Sequence, residues 1–319
     1  MAASSTAISR HMFMPVIAVL GVVYSSIFPV NKMSAESGDP YIGYVFWFSL
    51  IASAVLLGVC AVRRQLPPLT LPHVRAYAIL GIVGVALPVP LLTYVAPKVP
   101  VGIITLELAL VPLLTYLISW LLRIERLRAS GVIGLMFGLA GMLLVLVPDV
   151  GLPDPDMVGW AALALIGPLC FACANAFAAV FRPPAASSLV MAAGLTTCAT
   201  VMLAPVIVAS GHAYVFPGPV FEGNLAVLAA AAITALCTIC WFAIVRRVGP
   251  VYFSQFNYFI VLGGFGWGMV LYGERHSWLV WVAVALAFVG LAVFNYGAAR
   301  AARAAAGSVT TPVDRITAD

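Results

Sequence analysis

The stretch KVPVGIITLELALVPLLTYLISWLLRIERLRASGVIGLMFGLAGMLLVLV, Lys98–Val147, decides the fold because the chain writes it twice. Moved forward by 149 positions (98 + 149 = 247), it lies on Arg247–Tyr296, RVGPVYFSQFNYFIVLGGFGWGMVLYGERHSWLVWVAVALAFVGLAVFNY. Lys98 meets Arg247, Glu125 meets Glu274, Arg126 meets Arg275 and Gly141 meets Gly290. Each copy reads as a basic residue, a long apolar run, a Glu-Arg turn and a second apolar run. A repeat of this size constrains the whole architecture.

Of the 319 residues 63% are hydrophobic and 8% charged, against about 45–50% and about 25% in soluble domains. Most of the chain falls into apolar blocks of about 20 residues, enough to span a hydrocarbon core of roughly 30 Å. Period-two alternation is absent, which leaves helices rather than a membrane barrel. The expected class is an all-α integral membrane protein with the lipid bilayer as its surroundings.

The apolar blocks predict ten helices, at about 13–31, 41–62, 74–96, 100–122, 129–148, 158–181, 187–210, 224–245, 250–272 and 277–297. Residues 1–12 and 298–319 read as tails. The Asp-, Pro- and Gly-rich loop Asp149–Asp156 is the strongest break in composition. It places a linker at 149–157 between one five-helix repeat, 13–148, and another, 158–297. An odd number of helices per repeat makes the two copies inverted in the membrane. With both termini cytoplasmic, 13 of the 16 basic residues fall inside; only Lys32, Lys98 and Arg275 fall outside. That asymmetry is the positive-inside rule, and it orients the chain as a multi-pass protein of a bacterial-type inner membrane. The net charge of +5 is distributed over helix ends, so no nucleic acid is expected as a partner.

The sequence resembles the EamA-like, ten-helix branch of the drug/metabolite transporter superfamily. The likeness rests on Pro29-Val30-Asn31-Lys32, Val111-Pro112-Leu113-Leu114, Ile124-Glu125-Arg126-Leu127, Gly138-Leu139-Ala140-Gly141 and Tyr272-Gly273-Glu274-Arg275. Members often carry an arginine early in helix 2, where this chain has Trp47. The resemblance implies an inner-membrane carrier of small metabolites, often amino acids and often an exporter.

Glu107 is the only acidic residue deep inside an apolar span, roughly 10 Å below the outer end of helix 4 at about 1.5 Å per residue. An intramembrane carboxylate is costly and marks a functional candidate, for a substrate amine or a coupled proton. The alternative is a structural pair with Lys32 or Lys98. Gln255 and Asn257 flank Phe256, the repeat counterpart of Glu107, and with Asn175 could hold a polar substrate head or bond neighbouring helices. Lys32 could attract a carboxylate or snorkel to the interface. Tyr24, Tyr94, Trp47, Trp241 and Tyr258 supply rings for a cavity wall or for packing.

Prolines 29, 88, 90, 112, 168 and 205 predict kinks. Gly134-x-x-x-Gly138 and Gly264-x-x-x-Gly268 predict close helix contact, within the monomer or in a homodimer. Cys170-x-x-Cys173 and Cys237-x-x-Cys240 lie in mid-span without flanking ligands and read as packing. No metal site, cofactor or catalytic set is expected. The function expected is therefore secondary transport of a small-molecule substrate; the other class is a membrane enzyme acting on a lipid or isoprenoid.

Overall fold

The computed structural model describes residues 13–146, 154–183, 186–211 and 213–308. The described residues are helical apart from loops. Helices α1 (Met14–Glu36), α2 (Tyr41–Val62), α3 (Leu71–Val95), α4 (Val101–Leu121), α6 (Met157–Val180), α7 (Ser188–Ala209) and α8 (Phe221–Val248) are long and apolar enough to cross a membrane. Three further helices are α5 (Ala129–Leu146), α9 (Phe256–Tyr272) and α10 (Trp278–Ser308); their apolar parts are shorter. The one-turn helix Pro250–Phe253 precedes α9.

Two boundaries differ most from the sequence reading. Helix α1 runs past Asn31 to Glu36. Helix α10 runs through residues 298–308, which composition assigned to a tail. Alanine has the highest helix propensity, so an Ala-Arg-rich segment continues a helix already nucleated upstream. Residues 149–153 of the linker lie outside the described residues, as do both ends of the chain.

The packing is symmetric. Helix α1 lies on α9 as α6 lies on α4; α2 lies on α8 as α7 lies on α3. Helices α2 and α7, α4 and α9, and α5 and α10 pack on each other. Exchanging the first five helices for the last five maps each of these pairings onto another of them.

Prolines explain where the helices break. A proline has no N–H, so the carbonyl four residues earlier loses its partner. Pro29 frees Ser25, and the first part of α1 ends there. Pro168 frees Ala164, and the first part of α6 ends there. Pro112 frees Leu108, where α4 tightens into the 3-10 turn Leu108–Leu110. Pro88 and Pro90 free Gly84 and Ala86, inside the widened turn Ile82–Ala86 of α3. Helix α7 absorbs Pro205 without a break. The discontinuity before α9 has no proline; there the Asn257 amide donates to the Ser254 carbonyl at 2.9 Å.

Helices α5 and α10 meet backbone to backbone. A Cβ added at Gly134 would come within 2.7 Å of the Gly290 carbonyl oxygen, and one at Gly290 within 2.7 Å of the Gly134 oxygen. A Cβ at Gly141 would reach 2.8 Å from the Ala283 oxygen. The repeat relates Gly134 to Ala283 and Gly141 to Gly290, so the second contact is the first one's symmetry mate. Gly138 faces Leu113 of α4, and Gly264 faces Thr105 of α4, so both small-residue motifs pack inside one chain. Gly134→Val should lower the thermal unfolding midpoint of the purified protein by the equivalent of about 2 kcal/mol or more, since neither backbone can retreat. Gly58→Val, where nothing stands within 4 Å, is the control and should leave the midpoint nearly unchanged.

Candidate functional site

The helix breaks converge on a central cavity. It takes in about 900 Å³ of space between the atoms, open mouth included. Helices α1 to α4 and α6 to α9 each offer it a face, and among the described residues α5 and α10 contribute none to the lining. Thr234, Cys237, Thr238 and Trp241 of α8 recur at helical spacing, as do Phe171, Ala174 and Asn175 of α6. Phe253, Phe256, Asn257 and Ile260 come from the segments on either side of the α9 break. Tyr24 and Ile27 straddle the α1 break, Leu108 stands at the α4 turn, and Gly84 and Val85 come from the widened turn of α3.

The wall is aromatic. Tyr24 tilts against Phe256 with ring centroids 5.5 Å apart, and Phe253 stacks on Phe256 at 5.0 Å. Polar groups are few and placed. The indole N–H of Trp241 donates to Oδ1 of Asn175 at 3.1 Å, and the Asn175 amide reaches Thr115 Oγ1 at 3.5 Å. The first of these bonds fixes the Trp241 ring plane and the orientation of the Asn175 side chain. Asn257 commits its amide to Ser254, which leaves its carbonyl oxygen as an acceptor beside the cavity. Neither Lys nor Arg, Asp nor Glu, is among the lining residues. Such a wall can hold a flat, partly apolar body and make directional bonds to it.

Of the residues singled out in the sequence, the structure brings Tyr24, Asn175, Trp241 and Asn257 together at this cavity. Glu107 lies one residue from it, fully buried at the end of the first α4 segment, with neither carboxylate oxygen hydrogen-bonded. Neither lysine reaches it. The Lys98 ammonium stands 3.2 Å from the Tyr94 ring centre and 3.8 Å from that of Trp160. Lys32 lies 4.0 Å from the Tyr272 ring centre and 4.0 Å from Glu274. Tyr94 is thus part of the Lys98 cage, against Tyr41 as well. Trp47 donates to the Tyr214 carbonyl at 3.0 Å and packs on Phe216. Tyr258 turns toward Phe288 of α10, and Gln255 stands at the start of α9 without lining the cavity.

Thr234, Thr238, Phe171 and Phe253 were missed. Threonine and phenylalanine are too common in apolar runs to stand out, yet Thr234, Thr238 and Trp241 share one helical face, a signal that was available. Phe256 had appeared only as the repeat counterpart of Glu107.

A second polar cluster was missed altogether. Helix α4 begins after Pro100, which offers no side-chain cap. The carboxylate of Glu274, from the α9–α10 turn, supplies one: Val101 N–H donates to Oε1 at 2.7 Å and Gly102 N–H to Oε2 at 3.1 Å. Gly273, at φ 62°, is the left-handed C-cap of α9 that turns the chain back toward α4. Gly268 stands against Glu274, and a Cβ at Gly102 would meet the His276 ring at 2.8 Å, so two glycines make room for the carboxylate and its neighbour. Burial by itself would raise the Glu274 carboxyl; His276 and the amides of Gly102 and Val101 outweigh burial and hold it below the usual carboxylate range. Tyr272 closes the cluster by donating to the Pro29 carbonyl at 3.0 Å.

No curated protein matches the chain. Solved structures do: one crystal structure, titled only as that of a protein, superposes with a TM-score of 0.59 over 88% of this chain and 98% of that one, at 22% identity. That likeness establishes a shared fold. The sequence match is more telling, because it covers the first repeat from α1 to the end of α5. Residues 12–147 match the model of the EamA-like transporter family, and the match ends with that first repeat.

Proposed function

We propose that this protein is a secondary-active carrier that moves a small metabolite, of the amino-acid or a related class, out of the cell by alternating access. The observation that carries the reading is the central cavity bounded by broken helices. Discontinuous helices in corresponding positions of two repeats are the usual frame of a mid-membrane transport site. Here α1 and α6 correspond and both break, as do α4 and α9. The substrate's apolar body lies among Tyr24, Phe171, Trp241 and Phe256, and its polar end bonds to Asn257 and the Asn175–Trp241 pair. The absence of charge in the lining favours substrates with an aromatic or aliphatic side chain over strongly ionic ones.

Glu107 serves as the coupling group in this reading. A carboxylate without partners is not retained in a bilayer core for packing, and its neighbour Leu108 already forms the cavity wall. A shift at the α4 turn would expose Glu107 to the cavity, where it could exchange a proton.

The test is flux of labelled amino acids and related metabolites through purified protein in liposomes. Saturable exchange of one class is expected. Trp241→Ala and Asn257→Leu should each lower its kcat/KM by about tenfold, the loss of one good hydrogen bond or ring contact. Trp47→Phe, whose bond lies away from the cavity, should change it less than twofold. Saturable flux indifferent to both cavity variants would reject this cavity as the site. Glu107→Gln should keep exchange under symmetric pH while losing the response to an imposed gradient; an unaltered gradient response would reject Glu107 as the coupling group.

A further inference from the structure

The Glu274 cluster does more than end a helix. We infer that Glu274, His276 and Lys32 form a proton-responsive latch that holds the outer end of the transport path shut. Its role as a gate rests on the carrier reading and on the orientation read from the charges; the latch itself stands on geometry.

The contacts join three parts of the molecule that a rocking motion must separate. Lys32 belongs to α1, Val101 and Gly102 begin α4, and Glu274 and His276 lie in the turn between α9 and α10. The carboxylate takes both of its hydrogen bonds from backbone amides of the other repeat. A carboxylate at a helix N-terminus also meets the positive end of the helix dipole, an attraction strengthened by partial burial. Opening this end therefore means withdrawing Glu274 from two donors at once. The cavity lies on the far side of this contact, along α6 and α8 residues in the later halves of their helices.

His276 is the part that senses protons. Its side chain is 3% exposed, with the ring edge-on to Phe265 and Nε2 3.5 Å from Oε2 of Glu274. At that distance Nε2 has no hydrogen-bond partner. A neutral ring is a bystander; a protonated one adds a cation and a donor beside the carboxylate. The other ionisable groups of the cluster are of kinds that do not change charge near neutrality. They are the Lys32 ammonium from α1, the Tyr272 phenol from α9, the Glu274 carboxylate, and Glu36 of α1, which faces Tyr272. Val101 and Gly102 of α4 and Phe265 of α9 carry no ionisable group.

Protonation of His276 puts a cation beside the Glu274 carboxylate and strengthens the closed state; loss of that proton removes the contribution. Glu274 itself is held below the usual carboxylate range and stays ionised where ordinary carboxylates do. An acidic exterior thus shuts the outer end, and a neutral or alkaline one loosens it.

Hydrogen–deuterium exchange on the full chain in lipid nanodiscs reads the latch without reference to transport. After correction for the intrinsic pH dependence, exchange in a peptide that begins several residues before Val101, and so retains the Val101 and Gly102 amides, should be about fivefold slower at about pH 6 than at about pH 8, the size of one partly buried charge pair. His276→Asn should abolish that difference while leaving helix content and thermal midpoint within the wild-type range. Glu274→Gln should speed exchange at both pH values; should that variant fail to fold, His276→Asn decides alone. Equal protection of the wild type at the two pH values, or an undiminished difference in His276→Asn, would overturn the proposal. If flux fails but the exchange pattern holds, the carrier reading falls and the latch stands.

Discussion

A backbone carbonyl that loses its amide inside a bilayer has no water to turn to, and the rest of this fold can be traced to how that loss is managed. Each proline within a span leaves one such carbonyl four residues upstream. In α1, α4 and α6 the helix ends or tightens at that carbonyl, and in α3 it widens. Freed carbonyls are tolerable only where protein, rather than lipid, surrounds them. The breaks therefore gather in the middle of the bundle, and helices bent around a common point leave space there. The cavity is the consequence of where the prolines are.

The same reasoning applies at helix ends. An α-helix starts with amides that have no internal acceptor, and α4 starts well inside the packed bundle, after a proline that can cap nothing. Glu274 solves this by reaching across from the other repeat. The repeat would put its counterpart, Glu125, at the start of the short helix at Pro250. That helix has no side-chain cap, and Glu125 makes no such bond among the described residues. Two repeats with the same layout thus end in different contacts. An exact symmetry would make both ends alike, both open or both shut. The break in symmetry falls on the residue pair that the repeat itself aligns.

Much of the architecture was legible because membrane helices declare themselves by length and apolarity, without reference to partners. Helix α2 and the repeat of the α4–α5 and α9–α10 units follow from that alone. Single polar residues were less legible, because their meaning depends on the neighbour across the interface. Asn175 and Asn257 could equally have bonded helices or faced a cavity, and the structure has both bond locally while facing the cavity. Glu107 invited a lysine partner, but both candidate lysines are engaged elsewhere, Lys32 with Glu274 and Lys98 between two aromatic rings. The clue to the first lay in plain view: Gly273 ahead of Glu274 is a helix-ending signal, and a carboxylate just after a helix end is free to cap another. What the sequence could not supply was which helix start lay within reach.

The contrast between α5–α10 and the broken helices bears on how such a bundle could move. Where Gly134 faces Gly290 and Gly141 faces Ala283, the contact is between backbones. It contains no rotamers to rearrange, and its two halves are symmetry mates, so exchanging the roles of the repeats leaves it unaltered. Contacts around the cavity are of the opposite kind. They are made by side chains on segments whose hydrogen-bond ladders are already interrupted, so a small change in the angle at Leu108 or Ser254 breaks few bonds. A motion that exchanges the two repeats' conformations would therefore turn on the glycine crossing and be absorbed at the breaks. At the capped start of α4 the same motion must break charge-assisted bonds, and that is where control over it is best applied.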